Sequence, residues 1–441
     1  MQGFLLLIIG CVMTDDFLVK LLRLPSVLHF LPEVLSACVM VYVAIAGTRD
    51  RFHWVAPKYW LVFGAFALVI LFGIIDNAPG AGPMLSGARF HLRAVPMFFL
   101  AAVAPPSERQ LKQLLTLLFV FALIQLPVAV WQRWIVLYEE RHTGDEVRGT
   151  LMDSGILSIY LICIVLGLTG LKLRRRLATS TCVALSFLVL IPTAINETKG
   201  TLVLLPFGVM ATLILGADRG KRLRYSAFAA LGLVAFVAFF IPVYNMMEVH
   251  NPFKNEKDIT NYFTNEKQLE RYMSSDVGGV GTTKDVRRGD AIAVPLEFLS
   301  RDPAQLAFGL GLGSVAPSNF GRSFEGSYFE LFSKFLITSF TVLLLEFGIC
   351  GILLVGVMFW FILSDALAVA REDDSLFGAF AAGWTGIICL VALSLVYTTF
   401  HEFASMTYLS WYFSGVMCMR RMSLERIPSR APSRVQVHGV A

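Results

Sequence analysis

The sequence predicts an all-α polytopic membrane protein of about twelve transmembrane helices, with one large loop between the ninth and the tenth. Three observations predict it. Of 441 residues, 56% are hydrophobic and 16% are charged, well below the roughly 25% charge of a soluble domain. Apolar runs approaching the ~20 residues needed to cross hydrocarbon recur along the whole chain. Lys and Arg gather in short loops that fall on one side if every run crosses.

The first run, 2–14, follows Met-Gln-Gly with no basic leader and no Ala-x-Ala site, and reads as a retained span. Runs 33–47 and 58–76 follow. The run 94–104 is short and bounded by Arg93 and Pro105-Pro106, so it either begins earlier or is half-inserted. Runs 114–135, 151–171, 178–195, 200–216 and 225–244 bring the count to nine. The stretch 333–364 is too long for one upright helix, and is expected to be an interfacial helix entering a span or a strongly tilted one. Runs 376–396 and 404–419 complete the set. The chain thus divides into spans 1–244, a polar loop 245–332, spans 333–419 and a basic tail 420–441. Within the loop, Val286–Ser300 has apolar residues at helical spacing, and Asp302-Pro303 is expected to end that helix.

Orientation follows from the basic loops at Arg49/Arg51, Arg109/Lys112, Lys172–Arg176, Arg219–Arg224 and the tail from Arg420. The positive-inside rule puts them, and both termini, on the cytoplasmic side. The acidic loop Arg371–Asp374 is the exception, and acidic residues weigh little in that rule. The net charge of +5 gives no reason to expect nucleic acid as a partner. The seven cysteines lie in or beside apolar runs, which argues against a disulfide framework or a zinc site. The histidines lack H-x-x-x-H spacing, so no metal is expected, and no G-x-S-x-G supports a serine hydrolase.

On the opposite side several cations stand near run ends: Arg148 before the sixth run, Lys199 in a tight turn, Arg287 and Arg288 at the start of the loop helix, and Arg322 before the tenth run. His401 and Glu402 lie between the last two runs. Single cations near helix ends also snorkel and anchor. As a set, on the side where basic residues are scarce, they suit an anionic group, which a guanidinium grips through paired hydrogen bonds. Phe308–Ser314 carries G-x-G-x-G without a βαβ context, and a flexible re-entry into the membrane is expected there. Glu346 lies inside an apolar run, where a carboxylate is paired or functional; a packing hydrogen bond and a functional role weigh equally.

These residues, in this order, resemble the O-antigen polymerase/ligase superfamily of bacterial membrane glycosyltransferases. Arg148-Gly149-Thr150-Leu151-Met152-Asp153-Ser154 is similar to that family's R-x-G-T-F-x-(N/D)-P-N region. Thr198-Lys199-Gly200 is similar to its S-R-G turn, with lysine for arginine. Arg287 or Arg288, Asp302-Pro303, Phe308–Gly313 and Leu345–Gly351 together resemble its R…DP…G-x-G-x-G…L-x-E-x-G-x-x-G run. Thr338 stands where ligases of the family carry a histidine, which favours a polymerase.

The resemblance implies a GT-C-like fold and transfer of a glycan from undecaprenyl pyrophosphate to the sugar hydroxyl of another lipid-linked repeat unit. It implies no metal and no cofactor, and a chain-length regulator or flippase of the same pathway as partner. Arg148, Lys199 and Arg288, with Arg287 as the close alternative and Arg322 assisting, would neutralise the departing pyrophosphate. The base for the acceptor hydroxyl would be His401 or Glu402, ahead of Glu325 and Glu330. Tyr328, Phe329, Tyr397 and Tyr408 would stack on sugars or serve as interfacial belt residues. A ligase using the same site is the runner-up. A twelve-span transporter or flippase and a non-catalytic scaffold are the readings from other classes.

Overall fold

The computed structural model describes residues 2–50, 52–136, 146–217, 219–249, 290–318, 321–333 and 338–426. Among these the regular structure is entirely helical. Seven helices are long and apolar enough to cross a membrane, so the chain is a polytopic helical membrane protein. Arg287, Arg288, the early part of the polar loop and the tail beyond Arg426 lie outside the described residues.

The helices follow the apolar runs closely. They are α1 (Gln2–Asp16), α2 (Leu31–Asp50), α3 (Pro57–Asn77), α4 (Ala81–Leu92), α5 (Val95–Val103), α6 (Glu108–Trp131), α7 (Ser154–Leu173), α8 (Thr179–Ile195), α9 (Thr201–Gly216) and α10 (Arg222–Val249). Then come α11 (Asp290–Leu299), α12 (Pro303–Phe308), α13 (Phe329–Phe332), α14 (Ser339–Glu372), α15 (Leu376–Tyr397) and α16 (Ala404–Arg426).

Caps account for most of the boundary shifts. α6 starts ahead of the apolar run because Ser107 and Gln110 form a reciprocal capping box. The short run 94–104 is α5, with the separate helix α4 ahead of it. Pro96 breaks α4 from α5, since its ring clashes with the carbonyl one turn back. Asp302-Pro303 does not end the loop helix but starts the next one: α11 stops at Leu299, and Asp302 caps α12 by accepting from Ala304 N. The expected helix from 333 likewise starts at Ser339, where Thr338 is its N-cap. α14 runs to Glu372 as two straight parts joined at Gly348, whose φ is +62°.

The helix ends sort into two sets. At one end Arg176 donates to Asp374 O (2.7 Å), Leu376 N to Glu108 Oε1 (3.0 Å) and Arg420 to Asp373 (2.6 Å). At the other, Ser339 N donates to Thr398 O (2.9 Å), Asn196 to Ser154 O (3.0 Å) and Arg133 to Glu197 (2.6 Å). α15 is the central helix, buried along most of its length against α7, α9 and α14. Small residues permit this. A Cβ on Gly170 of α7 would lie 2.3 Å from the Gly383 backbone nitrogen, so the two helices meet backbone to backbone.

The G-x-G-x-G segment is packed, which corrects the expectation of a flexible re-entry. Leu310 N donates to Leu345 O (2.7 Å), and Asn77 at the end of α3 donates to Gly309 O (3.1 Å). Gly313 has φ +81°, and a Cβ there would lie 1.9 Å from Pro83 O. The segment is threaded between α3, α4 and the bend of α14.

Candidate functional site

At the Ser339–Thr398 end, the last turn of α4, the first turns of α14 and the 3-10 turn Phe400–Glu402 meet. α4 brings His91, α14 brings Ser339 and Glu346, and the turn brings His401. The two imidazole rings stack nearly parallel, 7° apart with centroids separated by 5.6 Å. His91 Nε2 lies 2.9 Å from Oε2 of Glu346, whose side chain is fully buried. His401 Nδ1 lies 2.8 Å from Ser339 Oγ, which also accepts the His401 backbone N–H at 3.0 Å. When Oγ accepts Nδ1–H, His401 Nε2 presents a lone pair and the ring is a base. Burial, then the neighbouring charges of His91 and Arg93, hold the His401 pKa well below its usual 6.5, so the ring is neutral at neutral pH.

Both histidines line a cavity of about 320 Å³ enclosed by α3, α5, α14, α15 and α16. Its walls are largely apolar, with Phe63, Phe66 and Trp411 among them. Beside the histidines, Arg93 occupies the break between α4 and α5. It donates to Glu33 Oε1 (3.0 Å) and to the carbonyl of Glu402. Arg89 donates twice to the same Glu33 oxygen, at 3.1 and 3.0 Å. Two guanidiniums thus share one carboxylate beside the cavity, with Asp15 and Glu402 also within electrostatic reach of Arg93. Glu402 is pushed above the usual carboxylate range by burial, against the opposing charge of Arg93.

Arg148 is held by two glutamines of the α6 stem that face the same way. Gln132 Oε1 accepts from the Arg148 and Gly149 amides (3.0 and 2.8 Å), and its Nε2 donates to Gly149 O (3.0 Å). Gln125, two turns earlier, accepts from Thr150 N (2.9 Å) and donates to Thr150 Oγ1 (2.8 Å). Gly149 has φ +59°, and a Cβ there would lie 2.4 Å from Gln125 Oε1. The Arg148 side chain is partly exposed and pairs with Glu146. Gln132→Leu strands two buried amides, each costing about 1–3 kcal/mol. The expected result is a destabilisation of roughly 2–6 kcal/mol, read by thermal unfolding in detergent. Gln132→Glu, which keeps the acceptor, is expected to lose less.

Lys199 sits in the turn between α8 and α9. Asn196 pins that turn to the start of α7 by donating to Ser154 O (3.0 Å) and Ser158 Oγ (3.1 Å). Tyr397 lies against the same turn: a Cβ on Gly200 would be 2.2 Å from its hydroxyl. Asp153 and Lys20 lie within electrostatic reach of Glu402. Arg148, Lys199, His401 and Glu402 are therefore on adjoining loops of one end.

Other expected residues stand apart. Arg322 and Glu330 are exposed, and Glu325 is partly buried. The turn carrying Arg322 packs on the first turn of α4, where a Cβ on Gly82 would be 2.2 Å from Ser323 O; Arg93 is about 16 Å further along at 1.5 Å per residue. Tyr328 meets Phe298 edge-on at 5.7 Å, and Phe298 also packs on Phe332, which makes Tyr328 part of a small apolar core. Tyr408 is buried within electrostatic reach of Arg93 and Glu33, and its hydroxyl donates to Pro32 O (3.1 Å). Thr338 is buried as the α14 cap.

Sequence reasoning missed His91, Arg89, Arg93, Glu33 and Ser339. The available signal was Arg89-Phe90-His91-Leu92-Arg93, three basic residues in five on the side where the positive-inside rule expects few. No protein-family model matches the chain, and no curated protein does either.

Proposed function

We propose that this chain is an inner-membrane polysaccharide polymerase of about twelve spans, with both termini cytoplasmic. It would transfer a glycan from undecaprenyl pyrophosphate to a sugar hydroxyl of another lipid-linked repeat unit at the periplasmic face. The span count rests on the chain passing from one set of ends to the other with each apolar helix, α4 and α5 together forming one crossing. The basic loops then fall at the end held by Arg176, Arg420 and Arg421.

The observation that carries the reading is the stacked histidine pair, held by Glu346 and Ser339, over an apolar cavity beside Arg93. A polyprenyl pyrophosphate needs an apolar space for its tail, cations for its phosphates and a base for the acceptor. In this reading the acceptor hydroxyl attacks the anomeric carbon and its proton passes to Nε2 of His401. The bond from that carbon to the pyrophosphate oxygen breaks, and the departing charge is met by Arg93 and Arg148. Ser339 orients the base and Glu346 fixes the ring stacked on it.

One observation favours a ligase as the second reading. His401 is hydrogen-bonded to Ser339, directly after Thr338, so a histidine reaches the α14 start from another loop. The two readings part in cells lacking the protein, through the lengths of their undecaprenyl-linked glycans on gels and by mass spectrometry. Accumulated single repeat units without long chains mark a polymerase. Long chains stranded on the carrier mark a ligase. An unchanged glycan profile defeats both.

A further inference from the structure

The bundle carries a second, larger opening, whose mouth lies at the opposite end and whose inner wall reaches Ser410, a residue that also lines the histidine cavity. α6 stands away from α7, α15 and α16 and leaves a cleft of about 670 Å³ between them. The α6 face of this cleft has Arg109, Lys112, Leu115, Thr116 and Phe119 in a stripe at helical spacing, with Glu108 and Leu118 beside them. It is basic at the helix start and mostly apolar beyond. From Arg109 to Phe119 the stripe runs about 15 Å at 1.5 Å per residue, half of a hydrocarbon core of about 30 Å. On the facing wall, α7 contributes Tyr160, Cys163 and Gly167, and Arg176 adds a third cation at the rim. Glu108 is the one carboxylate lining the cleft, and its Oε1 accepts the Leu376 amide at 3.0 Å. Arg176 donates through one guanidinium nitrogen to Asp374 O (2.7 Å).

We propose that this cleft binds a membrane lipid with an anionic phosphate headgroup. The phosphate would lie among Arg109, Lys112 and Arg176, and one hydrocarbon chain would lie along the stripe toward Phe119. Charge complementarity selects the occupant. Three cations against one carboxylate at the mouth of a largely apolar cleft match a phosphate joined to a chain one leaflet long, whereas a zwitterionic lipid brings its own ammonium to the same mouth. The proposal does not rest on glycan transfer.

Gly167 provides the means to separate chain from headgroup. It lines the cleft, and a Cβ built on it meets nothing within 4 Å. A larger side chain there fills the chain space without colliding with backbone.

The test is native mass spectrometry of the purified full chain. The protein is taken from nanodiscs of equal parts phosphatidylglycerol and phosphatidylcholine, with inorganic phosphate as a separate probe. The wild type is expected to retain phosphatidylglycerol selectively through delipidation. The R109Q/K112Q/R176Q variant is expected to lose that preference by on the order of tenfold or more, while R109K/R176K keeps it. Gly167→Phe, with all cations intact, is expected to lose the retained lipid, and Gly167→Ala to keep it. Equal retention of the two lipids by the wild type overturns the proposal. So does retention unchanged in Gly167→Phe, because the lipid is then held at the surface only, or displacement by inorganic phosphate alone.

Discussion

His401→Ala is expected to slow glycan transfer by on the order of 100- to 10,000-fold, the range of a lost general base, in protein that still folds. The ring makes its hydrogen bond to Ser339 at the mouth of the cavity, and its stacking partner His91 stays tied to Glu346 in the variant. Ser339→Ala keeps the ring and loses one hydrogen bond, so a smaller loss, on the order of tenfold, is expected. The pH profile adds a readout that damaged packing does not imitate. The base works in its neutral form, and burial and neighbouring charge depress its pKa, so the acid limb of kcat/KM lies below pH 6.5. Arg93 is one of the charges lowering it. Arg93→Gln is expected to move that limb to higher pH, in addition to any loss of rate. An acid limb that stays in place in Arg93→Gln, or a His401→Ala enzyme of full activity, removes His401 from the chemistry.

Gly313→Ala is expected to give a large loss of stability. The position has φ +81°, and the added methyl would sit 1.9 Å from Pro83 O, a backbone atom of α4 that cannot swing aside. The left-handed conformation costs about 1–2 kcal/mol and the collision about 1–3 kcal/mol, together roughly 2–5 kcal/mol. Thermal unfolding in detergent reads it, with Gly167→Ala as the glycine control in open space. Unfolding midpoints that agree between the two variants would mean that the loop yields, against the packing described.

The helices were legible in the sequence because hydropathy is a local property: each apolar run carries its own signal, and the caps at Ser107, Asp153 and Ser375 sharpen it. Arg148, Lys199, His401 and Glu402 were legible as polar residues at run ends. What was not legible is long-range. Glu346 showed that something must pair with it, but its partner His91 is 255 positions away, and no spacing rule spans that distance. The glycines of Phe308–Ser314 were visible and their meaning was not, because a residue chosen for close backbone approach looks the same as one chosen for freedom. Gln125 in α6 and Gln132 just after it carry no motif that sets them apart in the sequence. Their function appears only once the Arg148 loop folds back on them.

The bend of α14 has a consequence for how the chain is assembled. Ser339–Glu372 is one continuous apolar stretch and can enter a bilayer as a straight rod that satisfies its own carbonyls. The break at Gly348 diverts the Leu345 carbonyl to the Leu310 amide. That exchange needs the preceding segment seated against Asn77 and Pro83. The bend and the seating of that segment therefore depend on each other: Glu346, two residues before the bend, rests opposite His91 only in a chain where the two are formed together.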